Sequence, residues 1–400
     1  MIILGIETSC DETGIALVRG DKKKLKILSN VVASQIAVHR KWGGVVPSLA
    51  KREHQKHLVP VLTKALRAAK LYSKRSPQKQ SADLKKKLSG ILEKESLLLP
   101  QVSCFLASLK VPAIDAIAVT NRPGLEPALW TGINFAKVLA LAWDKPLIGI
   151  DHLEGHLLMA NAFPGTPALS LVVSGGHTAL ILSKRPGSYM IIGETRDDAA
   201  GEVLDKCARL LGLGYPGGPV VAREAALADN EDVKRFSIKL PRPMIHSRDY
   251  DLSFSGLKTA VLYDYRSRKV SVRKGKAYIR AICRDLQQAV IDVLIKKTLR
   301  AASEYEVKSL LLGGGVSANK ELRRQIAEKV KAQLLGVSLH MPTPEFCTDN
   351  GVMAAVAGYI NLTPRSSFGL ESRLKELRIA QGKQGTKNLV ASSHTSIPRL

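Results

Sequence analysis

The chain has 400 residues, 45% of them apolar and 24% charged, and a formal net charge of +25. This length can bury two sizeable cores, and no apolar run reaches the ~18–20 residues of a membrane span. Such a charge points to a polyanionic partner, nucleic acid first and an anionic membrane surface second, with a solvated basic surface as the plain alternative.

The N-terminus, "MIILGIETSCDETG", enters a strand pattern at once and has no basic leader or small-residue cleavage site, so a cytoplasmic location is expected. Residues 2–7, "IILGIE", form an apolar run, then a polar tip "TSCDET", then a second apolar run. This is a hairpin with hydroxyls and carboxylates at its turn. Helical patterns follow at about 47–70, 133–143 and 152–162, with strand runs near 115–120 and 147–150. Residues 169–182, "LSLVVSGGHTALIL", repeat the plan of the first hairpin around a small polar tip, which suggests a duplicated lobe. Further helices are expected at 199–212, 278–304 and 351–361, and a strand near 338–341. Between them "SLLLGGGVSANKELRRQIA" (309–327) reads as strand, glycine-rich turn and helix, with Ser317 or Asn319 as the cap. Strands alternating with helices imply an α/β fold.

Five scattered cysteines with no CxxC pair argue against a disulfide framework or a cysteine zinc site. Glycine turns at 174–178, 215–219 and 313–319 let backbone approach a phosphate or ribose closely. Singly they are only turns; together they point to a nucleotide site. His152 and His156 stand at i, i+4 and can share a helix face. A zinc peptidase needs H-E-x-x-H, whereas the order here is H-x-E-x-H. Glu154 would lie about 200° around the helix from His152, so the peptidase reading fails. Asp349, just before an apolar helix, is a candidate third ligand, although it or Thr348 would serve equally as a helix cap. Spacing alone leaves metal binding and plain helical histidines both open. His54 and His57 read as structural or surface residues. The basic run 64–87 reads first as a solvated face and only second as an RNA contact, and the run 266–300 is a second candidate phosphate-contacting surface.

The segments "GIETSCDETGIAL", "GGVVPSLAKREH", "DHLEGHLL", "LVVSGGHTALI", "DDAAGEVLDKCARLLGLGYPGGP", "DLSFSGLKTA", "GGGVSANKELR" and "FCTDNGVMAA" resemble, in order, the TsaD family of tRNA threonylcarbamoyladenosine synthases. The resemblance implies an actin-like ATPase (ASKHA) fold, with two RNase H-like lobes and a nucleotide and metal cleft between them. It implies transfer of a threonylcarbamoyl group from threonylcarbamoyl-AMP to the exocyclic amine of the adenine 3′ of the anticodon, in tRNAs reading codons that begin with adenine. It implies one divalent metal, iron or zinc, on His152, His156 and Asp349. Substrate contacts would come from Val172, Val173, Ser174, Gly175, Gly176, Asp205, Gly218 and Asn319, and Asp11 and Glu12 would be the acidic residues needed for activity. Implied partners are tRNA, a smaller paralogous subunit (TsaB-like) and a small ATPase (TsaE-like), with no membrane. The expected organisation is an N-terminal lobe 1–112 carrying a basic insertion at about 71–108, a C-terminal lobe 113–364 holding the metal and adenylate site, and a polar tail 365–400 that is partly disordered. Arg122 and Pro127 stand where the family has glycines. An ATPase or small-molecule kinase of the same fold, or a non-catalytic RNA-binding relative, are the alternative functions.

Overall fold

The computed structural model describes all residues except 23, 162, 163, 186 and 364–388. The chain forms two compact units. The first takes its residues from 1–39, 45–162 and 349–396, the second from 40–44, 163–348 and 397–400.

The first unit is built on a five-stranded sheet. Strands β1 (Ile2–Glu7), β2 (Glu12–Asp21) and β3 (Lys24–Ser34) form an antiparallel meander. Strands β4 (Ala116–Arg122) and β5 (Leu147–Asp151) add in parallel beside β1, giving the order β3-β2-β1-β4-β5. The helices are α1 (Ile36–His39), α2 (Pro47–Ala68), α3 (Ala82–Ile91), α4 (Leu98–Ser108), α5 (Glu126–Trp143), α6 (His152–Ala160) and, from far along the chain, α14 (Gly351–Leu362). Leu58, Leu62 and Leu66 of α2 join Leu4, Ile6 and Leu17 of the sheet and Ile133 of α5 in one core.

The second unit repeats the scheme. Strands β6 (Ala168–Val173), β7 (Thr178–Arg185) and β8 (Ser188–Glu194) form the meander, and β9 (Ser309–Gly313) and β10 (Ser338–His340) add in parallel, in the order β10-β9-β6-β7-β8. Its helices are α7 (Ala200–Leu210), α8 (Gly217–Ala226), α9 (Asn230–Phe236), α10 (Ser255–Ser267), α11 (Val270–Arg273), α12 (Lys276–Glu304) and α13 (Lys320–Gln333). Both sheets therefore carry the same strand order and the same mixture of pairings. The duplication expected from the two hairpins is present in the topology. No helix among the described residues is long and apolar enough to cross a membrane.

One expectation needs correction. The boundary at 112/113 does not separate the units: β4 pairs in register with β1, Ile3 opposite Ala116, so residues 116–160 belong to the first unit, and α14 returns to it. Within the segment 71–108, α4 joins the first core through buried Leu98, Val102, Phe105 and Leu106. In the tail, 365–388 lie outside the described residues, but 389–400 are tied down. Asn121 Nδ2 donates to the Val390 carbonyl at 2.9 Å, and the Arg399 guanidinium pairs with Glu194 and Asp251.

Candidate metal centre and its surroundings

The site in the first unit starts from close backbone packing. A Cβ on Gly351 would lie 2.4 Å from the Ala16 amide nitrogen, and one on Gly5 2.2 Å from the Gly351 carbonyl. Only glycines let the start of α14 rest on the backbone of β1 and β2. Asp349, two residues before α14, is thereby held at the carboxyl end of the sheet. Helix α6 starts directly where β5 ends. Asp151 caps it, accepting from the Leu153 amide at 3.0 Å, while Thr395 and Ser396 donate to its other oxygen.

These elements bring His152, His156 and Asp349 together. One donor atom from each lies within 4.8 Å of the others, the only such group of three or more metal-capable side chains among the described residues. His152 Nε2 is 3.5 Å and His156 Nε2 3.2 Å from Asp349 Oδ1. Bonds of ~2.0–2.1 Å to a shared ion place neighbouring ligand atoms about 3.0–3.4 Å apart, so the spacing suits one ion. Glu154 takes no part: its carboxylate accepts from Asn361 Nδ2 at 3.3 Å.

The site has an anionic second layer that sequence reasoning missed. Glu7, fully buried at the end of β1, places Oε2 3.3 Å from His152 Nδ1, and Ser9 Oγ lies 3.2 Å from the same nitrogen. Glu7 is itself fixed by the Ser9 amide at 2.6 Å and the Thr120 hydroxyl at 2.5 Å. A carboxylate behind a ligating imidazole sets its tautomer and ring orientation. In the sequence the only signal for Glu7 is a charge ending an apolar strand, four residues before the acids that drew attention.

The electrostatics agree with a cation site. Burial opposes charge on His152, but Asp349 and Glu7 outweigh it and carry its pKa up to about 9. Burial likewise opposes charge on Glu7, yet the adjoining His152 holds its carboxyl below the usual range. Burial and His152 push His156 down, leaving a neutral imidazole. His156 is fully buried; its Nδ1 makes no hydrogen bond, and the carboxylate of Asp349, 3.2 Å from Nε2, is poorly aligned for one. A buried imidazole so left is costly, and a metal ion would satisfy it. The residues present fit a divalent cation.

Asp11 and Glu12 occupy the β1–β2 turn and the start of β2. Burial and the adjacent Asp11 raise Glu12 well above the ordinary carboxylate range. Burial, then Asp11, also raises the Cys10 thiol, which makes it a poor nucleophile. Arg122 ends β4 and Pro127 lies in the first turn of α5, where proline is tolerated. Neither has a positive φ, so no glycine is required at either position.

In the second unit the remaining candidates sit on three adjoining elements. Val172 and Val173 are buried at the end of β6, and Ser174 closes the turn by accepting from the His177 amide at 3.1 Å. Gly175 and Gly176 have nothing within 4 Å of a Cβ position, leaving their backbone open. The start of α7 abuts this turn, since a Cβ on Gly201 would lie 2.6 Å from the Ser174 carbonyl. The 313–315 turn abuts it too: a Cβ on Gly314 would be 2.4 Å from the Val173 carbonyl. Asp205 accepts from the Gly217 amide at 2.6 Å, fixing the turn that holds Gly218. Asn319 caps α13 through the Glu321 and Leu322 amides, and its Nδ2 donates to Gln287 at 2.8 Å.

Comparison with known proteins gives one consistent result. The sequence model of the family described as TsaD, tRNA N6-adenosine threonylcarbamoyltransferase, matches residues 26–75 and 96–356. The unmatched stretch 76–95 contains α3, so the insertion narrows to that helix and its flanks. A tRNA N6-adenosine threonylcarbamoyltransferase of Syntrophomonas wolfei is 41% identical over 369 residues, 91% of this chain and 94% of that protein. One from Burkholderia mallei is 43% identical over 368 residues, 90% of this chain and 92% of its own. One from Anaeromyxobacter is 41% identical over 361 residues, 90% and 93% of the two chains.

Proposed function

This chain belongs to the TsaD family of tRNA N6-adenosine threonylcarbamoyltransferases, and we propose that it carries out the reaction as a metal-assisted direct transfer. The threonylcarbamoyl carbon of threonylcarbamoyl-AMP would bond to N6 of the adenine 3′ of the anticodon. The anhydride C–O bond breaks, AMP leaves with the electron pair, and N6 gives up a proton. The observation that carries this reading is the His152–His156–Asp349 group, its histidines buried and Glu7 and Ser9 behind it.

His152, His156 and Asp349 would hold the metal, iron or zinc, since imidazole and carboxylate ligands suit both. When bound, such an ion supplies a Lewis acid for the acyl or phosphoryl oxygens. Glu7 and Ser9 hold the His152 ring so that Nε2 faces Asp349. The exposed backbone of Gly175 and Gly176 is suited to the phosphate and to charge building on the acyl oxygen. Val172, Val173, Asp205, Gly218 and Asn319 would complete the adenylate contacts. We assign the Asp11–Glu12 pair to the proton that N6 sheds. An exocyclic amine is a weak nucleophile, so much of the rate must come from positioning. The raised Cys10 thiol is consistent with a reaction that needs no covalent enzyme intermediate. We further propose cytoplasmic location and a smaller paralogue and a small ATPase as partners.

The test is transfer from threonylcarbamoyl-AMP to an unmodified tRNA, followed by nucleoside mass analysis, with the proposed partner proteins added. The expected result is threonylcarbamoyladenosine with the wild-type chain and a loss of at least 100-fold with His156→Ala. A threonylcarbamoyl group trapped on the protein would contradict direct transfer, and ATP turnover with no transfer would favour a kinase-like activity.

A further inference from the structure

Most cations of the 266–300 run are internally engaged. Arg268 pairs with Asp264, Lys297 is buried against Ser247 and Asp249, and Arg300 donates to the Ser247 carbonyl. A different cluster in the same unit is not. Arg40, Lys41, Trp42, Arg209 and Tyr215 line an open recess of about 400 Å³. Arg40 Nε donates to the Tyr215 carbonyl at 3.3 Å, joining the two segments, and Gly43, at φ +67°, lies against the Arg209 stem. No carboxylate lines the recess, and none pairs with Arg40, Lys41 or Arg209 among the described residues. Trp42 is 64% exposed, and no core contact accounts for so large an apolar surface in water.

We infer that this recess is an RNA-binding site that takes an unpaired nucleotide, its base stacked on Trp42 and its flanking phosphates on Arg40, Lys41 and Arg209. The inference rests on the proposed tRNA substrate for the identity of the RNA. The volume lies within the ~300–1,000 Å³ of small-ligand sites. Three unspent cations around one exposed indole supply what single-stranded nucleic acid needs: charge for the backbone and a flat face for a base. A paired stem, whose bases are already stacked, would leave Trp42 unused. A protein segment rich in acids would use the cations but not the indole face.

The test measures affinity of the full chain for an unmodified tRNA across a salt series, which does not depend on transfer. Trp42→Ala should weaken binding roughly tenfold, and Trp42→Tyr, which keeps an aromatic face, should restore most of it. Replacing Arg40, Lys41 and Arg209 together by glutamine should reduce the slope of log affinity against log salt by about 2. Binding of tRNA should also quench tryptophan fluorescence in the wild type more than in Trp42→Tyr. Unchanged affinity and slope in the Trp42→Ala and triple variants would overturn the inference, as would variants that keep tRNA but lose an acidic protein partner. His156→Ala should keep tRNA affinity while losing transfer. The site thus stands if Trp42 matters for binding and transfer is never seen, and falls alone if transfer is intact and Trp42 is silent.

Discussion

Glu7 is the residue whose role is least visible in the sequence and most constrained in the fold. It carries no hydrophobic signature and belongs to no spacing rule, yet its carboxylate ties together His152, the Ser9 amide of the β1–β2 turn and the Thr120 hydroxyl of β4. Glu7→Gln keeps the shape and removes the charge, so the metal affinity of the chain should fall about 10–100-fold with little loss of helical content. A competition titration with a metal-sensitive dye reads this directly; unchanged affinity would leave Glu7 a merely structural residue. His54 is the second case. Its Nε2 lies 3.0 Å from the Cys10 carbonyl, and its Nδ1 2.8 Å from the Thr13 hydroxyl and 3.2 Å from Gln35 Nε2. Nε2–H therefore donates, and Nδ1 accepts. Burial lowers its pKa to about 4, the Cys10 bond only partly opposing. Between about 4 and the ordinary ~6.5 the unfolded chain binds the extra proton, so the stabilisation from the neutral ring is complete above pH ~6.5 and lost as pH falls towards 4. Denaturant midpoints should drop over that window in the wild type, and the drop should be smaller in His54→Gln.

At the scale of elements, the glycine seam between α14 and β1–β2 decides whether Asp349 meets the histidines. Gly351→Ala forces a Cβ into the Ala16 amide, an overpacking that costs about 1–3 kcal/mol. It should lower the melting temperature by several degrees and weaken metal binding together; a fall in one without the other would separate packing from ligand placement. The elements themselves were largely legible. The expected helices at 47–70, 152–162, 199–212, 278–304 and 351–361 appear as α2, α6, α7, α12 and α14 within a few residues. Their apolar periodicity and end signals are strong. The strands missed were β3 and β8, the outer strands of their meanders; β3 buries only Ser29 and includes lysines at its start, so it shows no apolar run. Helices α8 and α10 were missed because glycine and proline open one, and serine and glycine the other, both of which read as loop. The metal ligands were legible only in part. Two came from helical spacing, but Asp349 lies 193 positions beyond His156 in the chain, and local pattern could not choose between ligand and cap.

Across the whole molecule, the repeated strand order explains how one chain offers two separate carboxyl-end hairpins for chemistry, one acidic at 8–12 and one glycine-rich at 174–178. The lobe boundary was misjudged because a domain that begins and ends the chain leaves no single break in composition. The net charge of +25 predicts that tRNA affinity falls steeply between low and physiological salt, and gel-shift titrations at several ionic strengths would measure it. In the proposed mechanism the His152–His156–Asp349 group holds the ion on which transfer depends. Metal content and threonylcarbamoyl transfer should therefore be measured on the same samples: wild type, chelator-stripped, refilled with iron or zinc, and His156→Ala. Transfer should rise and fall in proportion to bound metal at about one ion per chain, and His156→Ala should neither bind nor transfer. Full transfer by the stripped protein, or a His156→Ala chain that transfers normally without metal, would contradict this mechanism.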